Sequence, residues 1–431
     1  MKKLMAGFLF IAAAALVQAA DPASQTNQNT TIVVGAVSEA PLSYQWYKTN
    51  PPDGGATYSV ILTNVTVGAT AVTNAPARRA ANTNNPTVIP TLIDAETLAK
   101  WSAPYRGWTY WPTHVLPARP MLPGVTNKIL GTDIPTVFQI PGDDKYYMSF
   151  VAFEGTGYQS YIAESTNLTD WGNYKLGMEF GPTNEYDFGG RVIGAFLYED
   201  YDIKGPKVLK KMDGKYWGLY SYYGKRGGYE QSPDGHGLAC SDDGLHWRRA
   251  VDHPVLNIHD PDCGQWESNR IYMPWLVEYR GKFFDFYNAA YKNHEQTGVA
   301  FSADLIHWIH YPANPIIPNR PGGYDSGFAS DPKVYRDGDH WTMFYFGVGM
   351  RSAHIMIAFS RDLVNWTADP EPLYKGGGNP SGLDKQYAHK TTLIYNPKND
   401  TFYLFYDAVP GEKGNIAGGR GIGLITSKPI N

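Results

Sequence analysis

Lys145-Tyr146-Tyr147-Met148-Ser149-Phe150 is a short aromatic strand after a polar turn, and the chain repeats it four more times. The other copies are Lys215-Tyr216-Trp217-Gly218-Leu219-Tyr220, Lys282-Phe283-Phe284-Asp285-Phe286-Tyr287, His340-Trp341-Thr342-Met343-Phe344-Tyr345 and Thr401-Phe402-Tyr403-Leu404-Phe405-Tyr406. Self-similarity at a near-constant period signals stacked supersecondary units, each too small to bury its own face. Their starts lie 70, 67, 58 and 61 residues apart, so each unit holds several short strands.

A second element follows each of the first four strands. Ser165 to Trp171, Ser241 to Trp247, Ser302 to Trp308 and Ser360 to Trp366 all place Ser and Trp six apart across a polar turn. A strand, a turn and a closing Trp fit a hairpin at the outer part of a propeller blade. A fifth copy starts at Ser427, but the sequence given ends at Asn431. Five such units predict an all-β, five-bladed propeller over residues 95–431, its last strand supplied by residues near 105–120. A two-sheet sandwich would not need the same aromatic strand five times.

Working outward, composition agrees. The 431 residues are 43% apolar and 18% charged, which excludes a disordered chain. A net charge of −4 gives no basic footprint for nucleic acid. With 31 Tyr, 18 Phe and 12 Trp, the aromatic surplus suggests sugar binding at first sight. Much of it falls inside the five repeated strands, where it packs blades instead. Two cysteines, Cys240 and Cys263, cannot build a disulfide framework or a Cys-rich zinc site; one disulfide between them or two free thiols both remain open.

The N-terminus reads differently. Met1-Lys2-Lys3, the apolar run Phe8 to Val17 and Val17-Gln18-Ala19 resemble a secretory signal peptide over residues 1–20, cut near Ala19 or Ala20. The protein is therefore expected to be secreted or periplasmic, with no membrane association after cleavage. Residues 21–94 are rich in Thr and Asn. Pro41 to Lys48 and Tyr58 to Val65 alternate like strands, as in an immunoglobulin-like fragment, and residues 75–90 look like a linker.

In a propeller, chemistry collects where the innermost strands approach the axis. The inner-strand starts are Thr132-Asp133-Ile134-Pro135, Lys204-Gly205-Pro206-Lys207, Tyr272-Met273-Pro274-Trp275, Ser330-Asp331-Pro332-Lys333 and Ala388-His389-Lys390-Thr391, each with its second residue nine to twelve before the aromatic strand. Asp133, Gly205, Met273, Asp331 and His389 take similar places. Trp266-Glu267-Ser268 and Tyr324-Asp325-Ser326 each begin eight residues before the Pro of their unit, as though on one rim.

These features resemble the five-bladed glycosidase superfamily containing glycoside hydrolase families 32, 43, 62, 117 and 130. The resemblance covers residues 130–428 and rests on the Asp-Ile-Pro and Asp-Pro strand starts, the aromatic strands and the Ser…Trp turns. It departs from families 32 and 43, which place an acidic Glu at the start of the third inner strand, where Tyr272-Met273-Pro274 stands here. Family 117 uses a His as its proposed acid, and His389, on the fifth inner strand and 58 residues after Asp331, is a match for that His.

The resemblance implies an exported glycoside hydrolase acting on polysaccharide-derived oligosaccharides, exo-acting and inverting. Such hydrolysis needs one group to protonate the departing oxygen and another to activate water or attack the sugar. Asp133 is the candidate base, against a turn-capping role beside Pro. His389 or Glu267 is the candidate acid, and Asp331 tunes the acid or holds a hydroxyl. Trp111, Trp266, Trp275 and Tyr324 are candidate sugar-stacking rings, against ordinary packing. Arg270, Asp325 and Arg420 are candidate hydroxyl or anion partners, against ion pairing.

No cofactor or metal is expected, since the histidines lack metal-ligand spacing. The expected partner is an oligosaccharide or polysaccharide, and the protein is expected to be a monomer or homodimer. A non-catalytic sugar-binding propeller and a family 130-like phosphorylase are the rival readings.

Overall fold

The computed structural model describes residues 93–126, 129–227, 232–349, 352–411 and 419–430, together with the backbone of four short N-terminal strands. Two compact units divide between Asn85 and Pro86. In the first, Ala13–Leu16 pairs with Thr31–Val34, and Ser43–Thr49 with Thr57–Thr63, both antiparallel. The rest of the expected signal peptide and immunoglobulin-like segment lies outside the described residues.

The second unit is mostly β and contains five antiparallel blades. Blade 1 runs from its inner strand Gly131–Phe138 through Tyr146–Phe153 and Tyr158–Ser165 to Gly172–Met178. Blade 2 is Gly190–Phe196, Lys215–Tyr223, Gly235–Ser241 and Trp247–Arg249. Blade 3 is Arg270–Tyr279, Lys282–Tyr291, His294–Ser302 and Trp308–His310. Blade 4 is Phe328–Asp337, His340–Gly349, Ser352–Ser360 and Trp366–Ala368.

Blade 5 has three strands of its own, Tyr387–Asn396, Thr401–Val409 and Gly421–Thr426. Its fourth is Thr109–Tyr110, which pairs with Gly421–Thr426 through Ile425↔Tyr110 and Thr426↔Thr109. Trp111 and Val115 extend the seam by donating to the carbonyls of Leu424 and Ile422. The ring is thus closed by the segment the repeat count pointed to. Upstream, the helix Ala95–Ser102 is N-capped by Asp94, whose carboxylate accepts from the Thr97 N–H at 2.7 Å. It packs Trp101 flat on His340 of blade 4, with ring centroids 3.8 Å apart.

The repeated aromatic strand is the second strand of every blade. Its rings pack between sheets: Phe150, Phe286, Tyr345, Phe405 and Tyr406 are all fully buried. The Ser…Trp element joins the third strand to the fourth. In each copy the Ser hydroxyl accepts the N–H three residues on, from Leu168, Gly244, Leu305 or Leu363, at 2.9–3.0 Å. The Trp indole N–H closes the same turn on the carbonyl of that residue at 2.8–3.0 Å. That residue has φ between +68° and +79° in all four copies. A leucine held left-handed costs roughly 1–2 kcal/mol. Burial of the Leu side chain returns about as much or more.

One expectation fails here. The inner strand of blade 2 is Gly190–Phe196, not the segment around Gly205. Lys204 to Val208 belongs to a crossover that caps the far end of the axis. Gln139, beyond the inner strand of blade 1, exchanges backbone hydrogen bonds with Lys207 and Leu209, and Arg336 of blade 4 does so with Tyr201 and Ile203. Buried Lys207 donates to the carbonyls of Asp202 and Gly205, and burial lowers its pKa to about 8.

Replacing Ser302 by Ala removes the acceptor for the Leu305 and Asp304 N–H groups. The expected loss is about 1 kcal/mol of stability, as for other hydroxyl caps. Denaturant unfolding of S302A against wild type measures it; an unchanged midpoint would show that the Ser hydroxyl does not hold the turn.

Candidate active site

Each blade begins with its inner strand, so the five strand starts collect at one mouth of the axis. Every inner strand also carries a one-residue bulge there. Register slips between Asp133 and Thr136, Ile193 and Ala195, Ile271 and Pro274, Ser330 and Lys333, and His389 and Thr391. In blades 1, 4 and 5 the bulge holds Ile134, Asp331 and Lys390 at φ +57°, +55° and +50°. Left-handed non-glycine residues of this kind are sparse, and bulges re-aim side chains near sites. They also set the true alignment. Asp133 corresponds to Ser330 and His389, while Asp331 corresponds to Ile134 and Lys390, one place later than the sequence spacing suggested.

The bulges gather a charged cluster. Asp133 Oδ2 accepts from Lys390 Nζ at 2.7 Å and from Arg420 Nη1 at 2.5 Å. Asp133 Oδ1 is buried with no hydrogen-bond partner among the described residues. Burial pushes the Asp133 pKa up, but attraction from Lys390 and Arg420 outweighs it and holds the carboxyl well below the usual range. The strained Ile134 peptide is fixed by the blade 5 carboxylate of Asp407, 3.2 Å and 3.3 Å from the Ile134 N–H.

Across the mouth lies Glu295, at the start of the third strand of blade 3 and 8% exposed. It accepts from Ser330 Oγ at 2.8 Å and from Asn288 Nδ2 at 3.3 Å. Burial raises its pKa. The Ser330 hydrogen bond, attraction from Arg270 and Lys390, and a hydrogen bond with Tyr272 reduce that rise without cancelling it. Arg270 donates to the Tyr272 hydroxyl at 2.7 Å. Lys390 therefore attracts two carboxyl groups whose surroundings push their pKa values in opposite directions. That separation assigns base-like and acid-like characters to a carboxyl pair.

The expected residues divide clearly. Asp133, His389, Arg270 and Arg420 belong to this cluster. His389 is buried, and burial followed by repulsion from Arg420 and Lys390 drives its pKa well below 6.5. Its Nδ1 lies 3.2 Å from the Asp407 carbonyl, so the ring is a neutral Nδ1–H tautomer. A neutral imidazole of this kind is not the proton donor expected of it. Asp331 is buried against Lys333 at 2.7 Å, with Lys333 over the Trp275 ring, on the channel side of the bulge.

Glu267 and Asp325 do not face the mouth. Glu267 accepts from Tyr287 at 2.5 Å and the Gly264 N–H at 2.8 Å, and lies 3.1 Å from His310. Asp325 accepts from Tyr345 at 2.9 Å and from Arg320. Asp187 with Tyr220 and Asp384 with Tyr406 repeat the arrangement in blades 2 and 5. The acid of each entry loop is thus tied to the Tyr of the second strand, which explains the echo seen in sequence.

The expected stacking rings are also placed. Trp275 is 1% exposed, with its indole N–H on the Val334 carbonyl at 2.9 Å, so it packs the channel. Trp266 stacks on Tyr287 with centroids 6.1 Å apart. Trp111 is half-buried at the ring seam, and Tyr324 is half-buried edge-on to His354 at 5.1 Å. Cys240 and Cys263 carry free thiols, and burial pushes the Cys263 thiol up to about 12.

Glu295 and Lys390 were missed by the sequence reading. A signal for Glu295 exists: the parallel contacts between blades align it with Tyr158 and Ala353. It is therefore a carboxylic acid where sister blades carry an aromatic or a methyl group.

Comparison with known proteins agrees with this fold. Residues 200–382 match the family described as glycosyl hydrolases family 32 N-terminal domain. A solved structure named "Glycoside hydrolase" is 26% identical, with TM-score 0.65, covering 79% of this chain and 97% of its own. The chain is a glycoside hydrolase of the five-bladed propeller superfamily. A second structure, named as a complex of BT0996 with RGII, is 27% identical with TM-score 0.65 and the same coverage. A glycosyl hydrolase from Bacteroides ovatus, 15% identical with TM-score 0.51 over 74% of this chain and 93% of its own, shares the fold. The finer likeness to family 117 rested on His389 as acid, and its buried, cation-flanked ring removes that support.

For this propeller hydrolase, Glu267→Gln tests the two placements of that acid. Loss of one partner from a buried pair costs about 3–5 kcal/mol. The expected outcome is a lower unfolding midpoint with kcat little changed; loss of turnover in a fully folded variant would return Glu267 to the chemistry.

Proposed function

We propose that this glycoside hydrolase releases a terminal sugar from a polysaccharide-derived oligosaccharide, with Glu295 as general acid and Asp133 as the opposing carboxylate. The observation that carries the proposal is the opposed environment of these two groups around Lys390. Burial keeps Glu295 protonated to higher pH than an exposed carboxyl, so it can protonate the departing glycosidic oxygen. Asp133 stays ionised, and its carboxylate stabilises positive charge developing on the sugar ring.

The same pairing supports inversion. Lys390 and Arg420 hold Asp133 Oδ2, which weakens it as a nucleophile. Oδ1 is left to take a proton from the water that attacks the anomeric carbon, as the bond to the departing oxygen breaks and that oxygen takes the Glu295 proton. Neutral His389 and Arg270 flank the pocket as hydroxyl partners. The crossover hydrogen-bonded to the far ends of the inner strands of blades 1 and 4 supports attack at the end of a glycan. RGII-type side chains are the first substrates to test, because a 27%-identical relative is named as an RGII complex. The N-terminal Lys-Lys and apolar run support export.

The cations Arg270, Lys390 and Arg420 favour one second reading, phosphorolysis, in which phosphate replaces water. Release of a sugar phosphate that depends on added phosphate would establish it, and release of free sugar in phosphate-free buffer would exclude it.

Glu295→Gln is expected to lower kcat/KM by about 10²–10⁴-fold on a natural oligosaccharide, and far less on an aryl glycoside whose leaving group needs no proton. Because Glu295 acts in its protonated form, wild-type activity falls as pH rises through its raised pKa. In the Gln variant that alkaline limb disappears on the aryl substrate. Equal losses on both substrates would remove Glu295 from the acid role. Proton NMR of the first-formed anomer tests inversion.

A further inference from the structure

We propose that His236 and Asp285 form a buried positioning dyad for the Glu295 carboxyl, acting through the peptide and side chain of Tyr272. The proposal rests on Glu295 as the proton donor and adds what holds it in place. His236 lies on the third strand of blade 2 and Asp285 on the second strand of blade 3. Both are fully excluded from solvent, with Nδ1 and Oδ2 2.6 Å apart.

The other ring nitrogen, Nε2, meets the backbone carbonyl of Tyr272. A carbonyl only accepts, so Nε2 carries a proton. The 2.6 Å contact then needs a second proton between Nδ1 and Oδ2. The dyad is either imidazolium with carboxylate or imidazole with carboxylic acid, and in both forms it is neutral overall. Burial raises the Asp285 pKa, opposed by attraction and hydrogen bonding from His236 and by a bond from the Trp275 backbone.

These contacts bracket the blade 3 bulge, which slips between Ile271 and Pro274. Pro274 has no N–H to hold the bulge on the ladder. His236 fixes the Tyr272 carbonyl on one side, and Asp285 pairs across the ladder with Leu276 on the other. Ser221 Oγ donates to Met273 Sδ between them at 3.4 Å. So held, Tyr272 presents its hydroxyl to Arg270 and Glu295. The groups facing Glu295 are Arg270 and Tyr272 from the inner strand of blade 3, Asn288 from its second strand, Ser330 from blade 4 and Lys390 from blade 5. The dyad controls one of these, Tyr272, and that hydrogen bond lowers the Glu295 pKa.

The test follows the Glu295 carboxyl directly. Full-length protein carrying ¹³C at the Glu side-chain carboxyls is titrated by NMR, and the Glu295 resonance is the one missing from Glu295→Gln. In His236→Phe and Tyr272→Phe the titration is expected to move to higher pH, with the double variant moving no further than either single one. His236→Gln, whose amide N–H can still reach the Tyr272 carbonyl, keeps the wild-type titration. kcat/KM on an RGII-derived oligosaccharide falls on the order of tenfold in both Phe variants, the worth of one hydrogen bond to a charged group.

A folded His236→Phe with an unshifted Glu295 titration overturns the dyad, whatever its melting temperature. Should His236→Phe not fold, an unshifted titration in Tyr272→Phe overturns it equally. If Glu295→Gln keeps full turnover instead, the acid assignment fails, while the NMR titration still decides the dyad.

Discussion

Five sheets around one axis form a circle, and a linear chain must close that circle once. Here the closure is the pairing of Thr109–Tyr110 with Gly421–Thr426. Without it, blade 5 would end on an open edge, and the inner strands of blades 5 and 1 would lose the contact that completes the ring. The apolar cluster holding Leu116, Val137, Phe150, Phe405 and Ile422 spans that seam and draws residues from both ends of the propeller. The mouth depends on the same closure, because Asp133 comes from blade 1 while Lys390 and Arg420 come from blade 5. The Asp133–Lys390–Arg420 cluster is assembled only when the ring is shut.

Closure explains why the two partners of Asp133 lie 257 and 287 residues away in sequence. It also explains the strain next to them. An unbroken inner strand alternates its side chains between sheet faces. A bulge breaks that alternation and turns consecutive residues such as His389 and Lys390 toward one pocket. The left-handed Ile134 is held by Asp407 of the neighbouring blade. The unfavourable backbone therefore persists because surrounding contacts determine it, as strained positions at sites generally require.

Much of the fold was legible because repetition amplifies weak local signals. One aromatic strand is ambiguous; five at near-constant spacing, with four Ser…Trp turns, are not. Blade 2 was misread at its inner strand because its crossover is long and Lys204-Gly205-Pro206 imitates a strand start. The site was legible only in part. Asp133, His389, Arg270 and Arg420 stand at strand starts or on the closing blade, where spacing points. Glu267 and Asp325 misled because a rhythmic acid reads like a rim, when each in fact accepts a buried Tyr hydroxyl.

The error identifies where such a molecule keeps its chemistry. A feature present in four or all five blades serves the blade: the acid–Tyr ties, the Ser–Trp turns and the second-strand rings all do so. Chemistry needs asymmetry about the axis, because a sugar presents different atoms to each blade. The acting groups should therefore be the residues that break the repeat. Glu295 breaks it, replacing Tyr158 and Ala353 of sister blades with a carboxylic acid. Lys390 breaks it, placing an ammonium where blades 1 and 4 hold Ile134 and Asp331. The surroundings at the mouth then separate Asp133 from Glu295. A carboxyl beside two cations is driven to ionise, and one held mainly by neutral hydroxyl and amide partners is driven to keep its proton. The scaffold supplies five near-equivalent positions, and single substitutions within it create the unequal carboxyl pair proposed to carry out cleavage.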